Sequence, residues 1–201
     1  MLHVNSHGYI LSARVKLAAR PMIERGVLQR IRGIIVHQTG AATGASSLSS
    51  YTMKHANGAH FLIDKDGTIY QTASLLRQTS HVGRLRARCV AEYRCTPTEL
   101  QTLKRFNPKA EHRMEMAKDV PQRYPSNEDS IGIEIVGTVV VAKGQNPAEH
   151  GVYETVSAQQ NASLRWLVAE ITSTYGISMT EIFRHPVVSR KNPTEAKSAS
   201  W

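Results

Sequence analysis

The apolar residues of this chain form four short runs and one longer helical repeat. Residues 32–37 (RGIIVH) and 131–141 (IGIEIVGTVVV) are rich in β-branched side chains, which is typical of buried strands. Residues 59–63 (AHFLI) and 68–71 (TIYQ) flank the sequence Asp-Lys-Asp-Gly. Because Asp and Gly accept the unusual dihedral angles of a tight turn, this arrangement predicts a β-hairpin.

The clearest helix is predicted over residues 157–175. Its apolar positions follow the spacing of one helix face, with Leu164, Leu167, Val168 and Ile171 at i, i+3, i+4 and i+7. Ser157 and Gln160 fit a capping box, and Gly176 supplies a stop. A shorter helix is predicted within residues 47–57. Strands interleaved with helices, together with the hairpin, predict an α/β fold with a central mixed β-sheet flanked by helices.

A polar, basic segment separates the hairpin from the second buried strand. Residues 84–127 carry ten basic and five acidic side chains and have only weak apolar periodicity. We predict an insertion with one or two short helices here, and a loop of this length in a compact domain is usually functional. Residues 1–30 form a basic N-terminal segment, and the tail from Phe183 onward shows no clear element.

Length and composition favour one globular domain. The chain has 201 residues, of which 41% are hydrophobic and 20% charged, so we expect a single domain over residues 1–201 with a core over about 31–193. These values exclude a disordered chain, a coiled coil and a collagen. No apolar run of about 18 residues occurs, so no membrane span is expected. The first twenty residues lack the pattern of a secretory signal, so synthesis in the cytoplasm is expected.

The charge balance narrows the range of partners. There are 25 Lys and Arg against 16 Asp and Glu, which gives a net charge of +9. A basic surface attracts polyanions such as nucleic acid, anionic lipid or a cell-wall polymer, although a simple solvated surface has the same composition. No helix-turn-helix, zinc-finger or aromatic stacking motif supports a nucleic-acid partner, so none is expected.

Histidines are the main candidates for chemistry, since the chain has nine. Most single histidines are packed or surface residues, but two stand in suggestive places. His37 ends a buried strand and enters a loop rich in Gly, Ser and Thr, and His185 lies between a helix turn and a proline-rich loop. Two imidazoles with one carboxylate or thiolate form a zinc site that leaves a fourth position for water.

Five motifs occur in a fixed order along the chain: IIVHQTG, AHFLIDKDGTIYQ, SHVG, SIGIEIVG and, after the long helix, FRHP. Over about residues 31–193 they resemble the zinc N-acetylmuramoyl-L-alanine amidases of the peptidoglycan recognition protein and phage-lysozyme-type superfamily. The chain also resembles stand-alone bacterial amidases that act as type VI secretion effectors. The resemblance implies hydrolysis of the amide between the lactyl group of N-acetylmuramic acid and L-alanine of the peptidoglycan stem peptide, with Zn²⁺ as cofactor.

The resemblance also implies roles for individual residues. His37 and His185 correspond to two zinc ligands, and Glu134 of the G-I-E motif corresponds to the general base. Other branches place a tyrosine before the hairpin histidine, where this chain has Ala59. Three further residues are assigned to the substrate-binding region: His60, His81 and Asn127. A structural role stays open for His60, and a role in a turn stays open for Asn127.

The third zinc ligand is where the sequence departs from the family pattern, which is K-x-C-P or K-x-D-P. By motif context Asn192 takes the place of the acid or thiol, but a neutral amide is a poor zinc ligand. By spacing Glu195, ten residues after His185, takes that place, and we favour it because glutamate is a competent ligand. Lys191 or Arg190 would supply the positive charge that stabilises an oxyanion.

Two alternatives stay open at this stage. Without a third ligand, the protein would be a non-catalytic peptidoglycan-binding module of the same fold. Without a secretory signal, it would reach the periplasm or cell wall through a secretion machine or after lysis, or would recycle soluble fragments inside the cell. An effector would need an immunity protein and a secretion-apparatus partner.

The two cysteines, Cys89 and Cys95, are compatible with a small disulfide loop or with two reduced thiols. An effector would meet an oxidising periplasm, so for that case we predict the bridge.

Overall fold

The computed structural model describes residues 1–146 and 150–201. Its strands are β1 (Val15–Leu17), β2 (Glu24–Val27), β3 (Gly33–Gly40), β4 (Phe61–Ile63), β5 (Ile69–Gln71), β6 (Arg77–Thr79), β7 (Ser130–Val140), β8 (Val152–Tyr153) and β9 (Ile182–Arg184). Its α-helices are α1 (Gly44–Ser50), α2 (Arg88–Ala91), α3 (Pro97–Leu103), α4 (Pro108–Met116), α5 (Ala158–Tyr175) and α6 (His185–Val188). No helix in the described part of the chain combines the length and hydrophobicity needed to cross a bilayer.

A mixed sheet organises the molecule, as predicted. Its strand order is β1-β5-β4-β7-β3-β9, with β8 added to the end of β7. The pairs of β3 with β7 and β9, of β4 with β7, and of β1 with β5 are parallel. The predicted hairpin of β4 and β5 is antiparallel. The basic N-terminal segment contributes β1 to this sheet, so it takes part in the fold rather than forming a loose arm.

Strands β3 and β7 are buried on both faces, which explains their continuous apolar sequences. Ile34 and Val36 of β3 pack into the main core with helix α5, whereas Ile35 packs into a second cluster on the other face. Side chains alternate along a strand, so His37 lies on the same face as Ile35, away from α5. His37 also pairs in register with Glu134 of β7. Two candidate functional side chains therefore project from one sheet face.

Helix α5 confirms the predicted apolar repeat. Ser157 and Gln160 form the capping box, and Gly176 ends the helix with a positive φ of 66°. The four apolar residues of the repeat are all buried against the sheet: Leu164, Leu167, Val168 and Ile171. The helix covers one sheet face, which leaves the other face for the functional side chains.

Three local predictions needed correction. The short helix spans Gly44–Ser50 rather than lying within 47–57, because the Thr43 hydroxyl accepts a hydrogen bond from the Ser46 amide and starts the helix earlier. The insertion holds three helices rather than one or two, and α3 and α4 begin with Thr-Pro and Asn-Pro caps. The tail forms strand β9 and helix α6, whose few residues are too short to give a periodic pattern.

The insertion is fixed to the sheet layer by buried ion pairs. The Arg88 guanidinium donates two hydrogen bonds to the Glu181 carboxylate, at 2.6 and 2.9 Å. Arg123 pairs in the same two-pronged manner with Asp129, just before β7. A disulfide between Cys89 and Cys95 closes the loop after α2. These contacts fix residues 84–127 to the amino ends of β7 and β9, and Tyr124 and Met116 of the insertion pack with Ile35 on the sheet face opposite α5.

Candidate metal centre and active site

Three side chains converge where β9 ends beside the middle of β3. Nitrogen and oxygen atoms of His37, His185 and Glu195 lie within 4.8 Å of one another, and all three residues are buried. Glu195 Oε1 lies 2.9 Å from His185 Nδ1 and 3.5 Å from His37 Nδ1. One carboxylate oxygen therefore faces one nitrogen of each imidazole.

The strand pairing explains why the two histidines meet. Val36 of β3 pairs with Arg184, the last residue of β9, in a parallel ladder, so the next residues, His37 and His185, lie side by side. His37 does not end its strand as the sequence predicts, because β3 continues to Gly40 through its pairing with β7. Glu195 follows in the loop after α6, whose backbone returns to the sheet. The Ala196 amide donates to the Gln38 side chain there, 3.2 Å away.

The hydrogen bonds of His185 provide a test of whether this cluster fits a metal. Its Nε2 lies 2.9 Å from the carbonyl oxygen of Val82, which accepts only, so Nε2 carries the proton. In neutral His185 the Nδ1 lone pair then faces the lone pairs of Glu195 Oε1. Two lone pairs at 2.9 Å repel unless a cation or proton lies between them. Two imidazoles and one carboxylate are also a donor set that suits Zn²⁺, so the residues fit the metal.

A chain of hydrogen bonds sets the tautomer of His37 in the same way. The Ser130 hydroxyl donates to the Ser126 carbonyl, so its oxygen accepts from His81 Nε2, 3.3 Å away. His81 Nδ1 is then an acceptor, and His37 Nε2, 2.9 Å away, donates to it. This leaves the Nδ1 lone pair of His37 directed at Glu195. Metal-binding histidines are commonly held by such outer partners.

Asn127 connects the outer partners of both histidines. Its Oδ1 accepts hydrogen bonds from the backbone amides of His81 and Val82, at 2.9 and 2.8 Å. The same two residues supply the ring that holds His37 and the carbonyl that holds His185. Gly132 leaves the space that the His81 ring occupies, since a β-carbon there would lie 2.8 Å from Nδ1.

Burial keeps the imidazoles of His37 and His81 neutral. Burial, with a smaller electrostatic contribution from His185, lowers the pKa of His37 to about 4. Burial also lowers the pKa of His81 well below its usual value, with His37 and His60 adding to the effect. For Glu195, burial raises the pKa, but hydrogen bonds with His185 and His37 outweigh it and bring the pKa to about 2. At neutral pH His37 is thus a neutral imidazole and Glu195 a carboxylate.

Glu134 lies next to this cluster with an unsatisfied oxygen. Its Oε2 atom is buried and has no hydrogen-bond partner among the described residues. Burial raises the pKa of Glu134 to about 8; Glu195 adds to the rise and Lys191 opposes it. A buried polar atom without a partner costs free energy, so its presence indicates a functional demand at this position.

These groups line one cavity of about 1030 Å³. Of the residues predicted for the site from the sequence, seven line it: His37, His81, Asn127, Glu134, His185, Lys191 and Glu195. Lys191 is exposed at its rim. Arg190 also lines the cavity, but its guanidinium pairs with Glu111 at 2.5 Å and is therefore largely neutralised.

His60 is the exception among the predicted site residues. It is fully buried, and its ring nitrogens contact the carbonyl of Arg77 at 2.9 Å and the amide of Gly132 at 3.1 Å. Its placement among substrate-binding residues therefore requires correction, because no solvent-facing atom is available for contact. The structural role that the sequence left open for His60 fits these bonds.

The loop after α6 separates the two candidates for the third ligand. Asn192 is directed into the loop, where its Nδ2 donates to the Gly151 carbonyl at 2.7 Å and its Oδ1 accepts from the Thr194 amide at 2.9 Å. Glu195 is the residue that faces both histidines. In the K-x-D pattern the lysine stands two residues before the acid, and that position is Pro193 here. The cation at the site is therefore supplied by a different backbone position.

Among the cavity side chains that sequence reasoning missed, Tyr153 has the most strongly shifted pKa. Tyr153 of β8 lines it, and burial together with Glu195 and Glu134 raises the pKa of this phenol to about 12. It pairs with Val139 near the end of β7. This pairing and the hydrogen bond from the Tyr153 amide to the Thr194 hydroxyl, 3.2 Å long, bring Tyr153 to the site, and its surrounding sequence contains no signal for it.

Comparisons with known proteins concern the family and the fold. The family model described as N-acetylmuramoyl-L-alanine amidase matches residues 28–196. A selenomethionine derivative of AmpD is 15% identical with a TM-score of 0.58, over 96% of this chain and 94% of that chain. AmpDh3 from Pseudomonas aeruginosa, in complex with anhydromuramic pentapeptide, is 19% identical with a TM-score of 0.52, over 94% of this chain and 58% of that chain.

The catalytic domain of XlyA is 19% identical with a TM-score of 0.50, over 85% of this chain and 83% of that chain. At these identities the solved structures show a shared fold. No curated protein matches the chain.

Proposed function

This chain belongs to the N-acetylmuramoyl-L-alanine amidase family, whose members hydrolyse peptidoglycan, and we propose that it does so as a zinc enzyme with His37, His185 and Glu195 as ligands. One observation carries the zinc assignment. The Nδ1 lone pairs of both histidines face the same Glu195 oxygen while their Nε2 atoms are used as donors elsewhere.

Zinc, when bound, supplies a Lewis acid at the scissile amide and makes water more acidic. The residues of the chain supply the proton transfers. Glu134 is the general base that takes the proton of the attacking water and passes it to the leaving amine of L-alanine. Burial, with a contribution from Glu195, raises the pKa of Glu134 to about 8, so a cation beside it is what makes its carboxylate form available near neutral pH.

A positive charge is also needed where the carbonyl oxygen becomes an oxyanion. Lys191 is our candidate because it lines the cavity and acts electrostatically on both Glu134 and His37. Arg190, the alternative from the sequence, is paired with Glu111. Lys191 therefore takes the place of the lysine that the family pattern puts at the position of Pro193.

Zinc content and digestion of purified sacculi, measured on the same preparations, test this function. We expect about one zinc per chain and release of stem peptides for the wild type. His185→Ala should lose both, and Glu134→Gln should keep zinc but lose roughly 10²- to 10⁴-fold in rate. Sacculus binding without zinc and without cleavage would overturn the zinc mechanism and leave a wall-binding protein.

The place of action is a finer proposal. The Cys89–Cys95 bridge favours an oxidising compartment such as the periplasm, where peptidoglycan lies. The effector role, with an immunity protein and a secretion partner, rests on the sequence resemblance alone. It predicts that the protein is toxic when exported to the periplasm of a bacterial host and harmless when kept in the cytoplasm. Equal growth in both cases would contradict it.

A further inference from the structure

The cavity of about 1030 Å³ that His37, His185 and Glu195 line is called the metal cavity below. A second cavity, of about 580 Å³, lies beside it. Arg86 and Arg190 line both cavities, so these two residues form a ridge at which the cavities adjoin. The second cavity is formed between the insertion and helix α6. Within helix α6 the first residue, His185, lines the metal cavity, and the next two, Pro186 and Val187, line the second cavity.

The second cavity has apolar walls and a positive charge. Its apolar side chains come from the insertion and from α6, and they include Val90, Leu103, Phe106 and Val187. Its charged residues are three arginines and one glutamate: Arg86, Arg105, Arg190 and Glu111. Glu111 accepts from the Ala87 amide at 2.7 Å and pairs with Arg190, which lies over the Phe106 ring at 5.1 Å. Arg190 is thus fixed as part of the wall.

The other two arginines are available to a ligand. Arg86 and Arg105 are exposed, and neither is ion-paired with a carboxylate in the described part of the chain. Arg86 makes one long hydrogen bond, of 3.3 Å, to the Pro186 carbonyl. Guanidinium groups bind carboxylates through paired, charge-assisted hydrogen bonds. The cavity therefore suits an extended ligand with aliphatic parts and free carboxylates.

We propose that this cavity is a subsite for the part of the stem peptide beyond L-alanine, and that Arg105 and Arg86 bind its carboxylates. The proposal rests on the amidase function, since it assumes that L-alanine lies at the metal cavity. From there a stem peptide that passes the Arg86–Arg190 ridge enters the second cavity. The acidic residues and the C-terminal carboxylate of the stem peptide match the positive charge of the second cavity, and the aliphatic side chains of the peptide match the apolar walls. Arg105, which lines only this cavity, then determines specificity for the length and charge of the stem.

The first test compares kcat/KM on two substrates. N-acetylmuramyl-L-alanine amide is short and carries no peptide carboxylate, whereas N-acetylmuramyl pentapeptide carries several. Arg105→Gln should lower kcat/KM on the pentapeptide about 5- to 30-fold, mainly through KM, and leave the short substrate unchanged. Arg113→Gln is the matched control, because Arg113 is exposed on α4 of the same insertion and lines neither cavity. Equal losses on both substrates, or an equal loss with Arg113→Gln, would overturn the subsite.

A second test separates this inference from the amidase function. Binding of the free pentapeptide is measured by calorimetry, which needs no hydrolysis. The wild type and Arg113→Gln should bind the pentapeptide equally, and Arg105→Gln should bind it at least about 5-fold more weakly. A peptide with amidated carboxylates should bind to the wild type no more tightly than the pentapeptide binds to Arg105→Gln. A wild-type protein that shows this binding pattern but does not cleave sacculi would count against the proposed amidase function and would leave the subsite standing. Peptide binding that is absent or independent of Arg105 would reject the subsite.

Discussion

Glu195 Oε1 lies 2.9 Å from Nδ1 of His185, which precedes it by ten residues in the chain. Asn192 lies between them in sequence, and its side chain instead bonds to Gly151 and Thr194. The spacing, rather than the K-x-D motif context, thus identifies the residue that faces the histidines. This follows because the loop after α6 fixes how far the chain travels before it returns to β3.

The first prediction concerns the third ligand. Glu195→Gln removes the negative oxygen that both histidines face, so zinc affinity should fall by more than roughly 100-fold. That is the largest loss expected when only a hydrogen-bond partner of a ligand is removed. Asn192→Ala should keep one zinc per chain, because the Asn192 amide bonds to Gly151 and Thr194 while Glu195 is the residue that faces both histidines. Competition with a chromophoric chelator measures both affinities, and circular dichroism checks that both variants fold. Loss of zinc in Asn192→Ala with retention in Glu195→Gln would reverse the assignment.

The second prediction concerns His81, whose Nδ1 accepts a hydrogen bond from His37 at 2.9 Å. His81→Ala should lower zinc affinity roughly 10- to 100-fold, because the tautomer of His37 is then no longer fixed. His81→Asn is the matched variant, since its side-chain oxygen can stand where Nδ1 stands and should restore most of the affinity. Nitrogen NMR of the metal-free protein reports the His37 tautomer directly. An unchanged affinity and tautomer in His81→Ala would show that His81 only lines the cavity.

The sequence was sufficient for the elements with strong local patterns. The long helix, the hairpin and the two buried strands follow from apolar periodicity and turn residues, and His37, His185 and Glu134 follow from the ordered motifs. Strand β9 and Tyr153 could not be predicted, because their positions depend on pairing with β3 and β7 rather than on local sequence. The role of His60 depended on burial, which a single histidine in a strand does not reveal.

The third prediction is a pH dependence of stability in the metal-free protein. Burial raises the pKa of Glu134 from 4.5 to about 8, so the folded state holds a proton that the unfolded chain has released between these values. Stability from this group is complete below pH 4.5 and is lost as the pH rises through about 8. The free energy of unfolding should therefore fall with pH in this window, and Glu134→Gln should make the slope shallower. An identical slope in wild type and Glu134→Gln would contradict the raised pKa.

The fourth prediction concerns the Cys89–Cys95 bridge, whose partners are six positions apart. A closed loop of this length should add about 2 kcal/mol to the free energy of unfolding by restricting the unfolded chain. In urea unfolding, the reduced wild type and the double variant Cys89→Ser/Cys95→Ser should therefore have the same free energy of unfolding. The oxidised wild type should have a higher one than both. Reductant should leave the double variant unchanged, which controls for other effects of the reagent. Because the bridge closes the loop after α2, which supplies a wall of the second cavity, its reduction should also weaken pentapeptide binding. Two free thiols in oxidatively refolded protein would show that the bridge does not form.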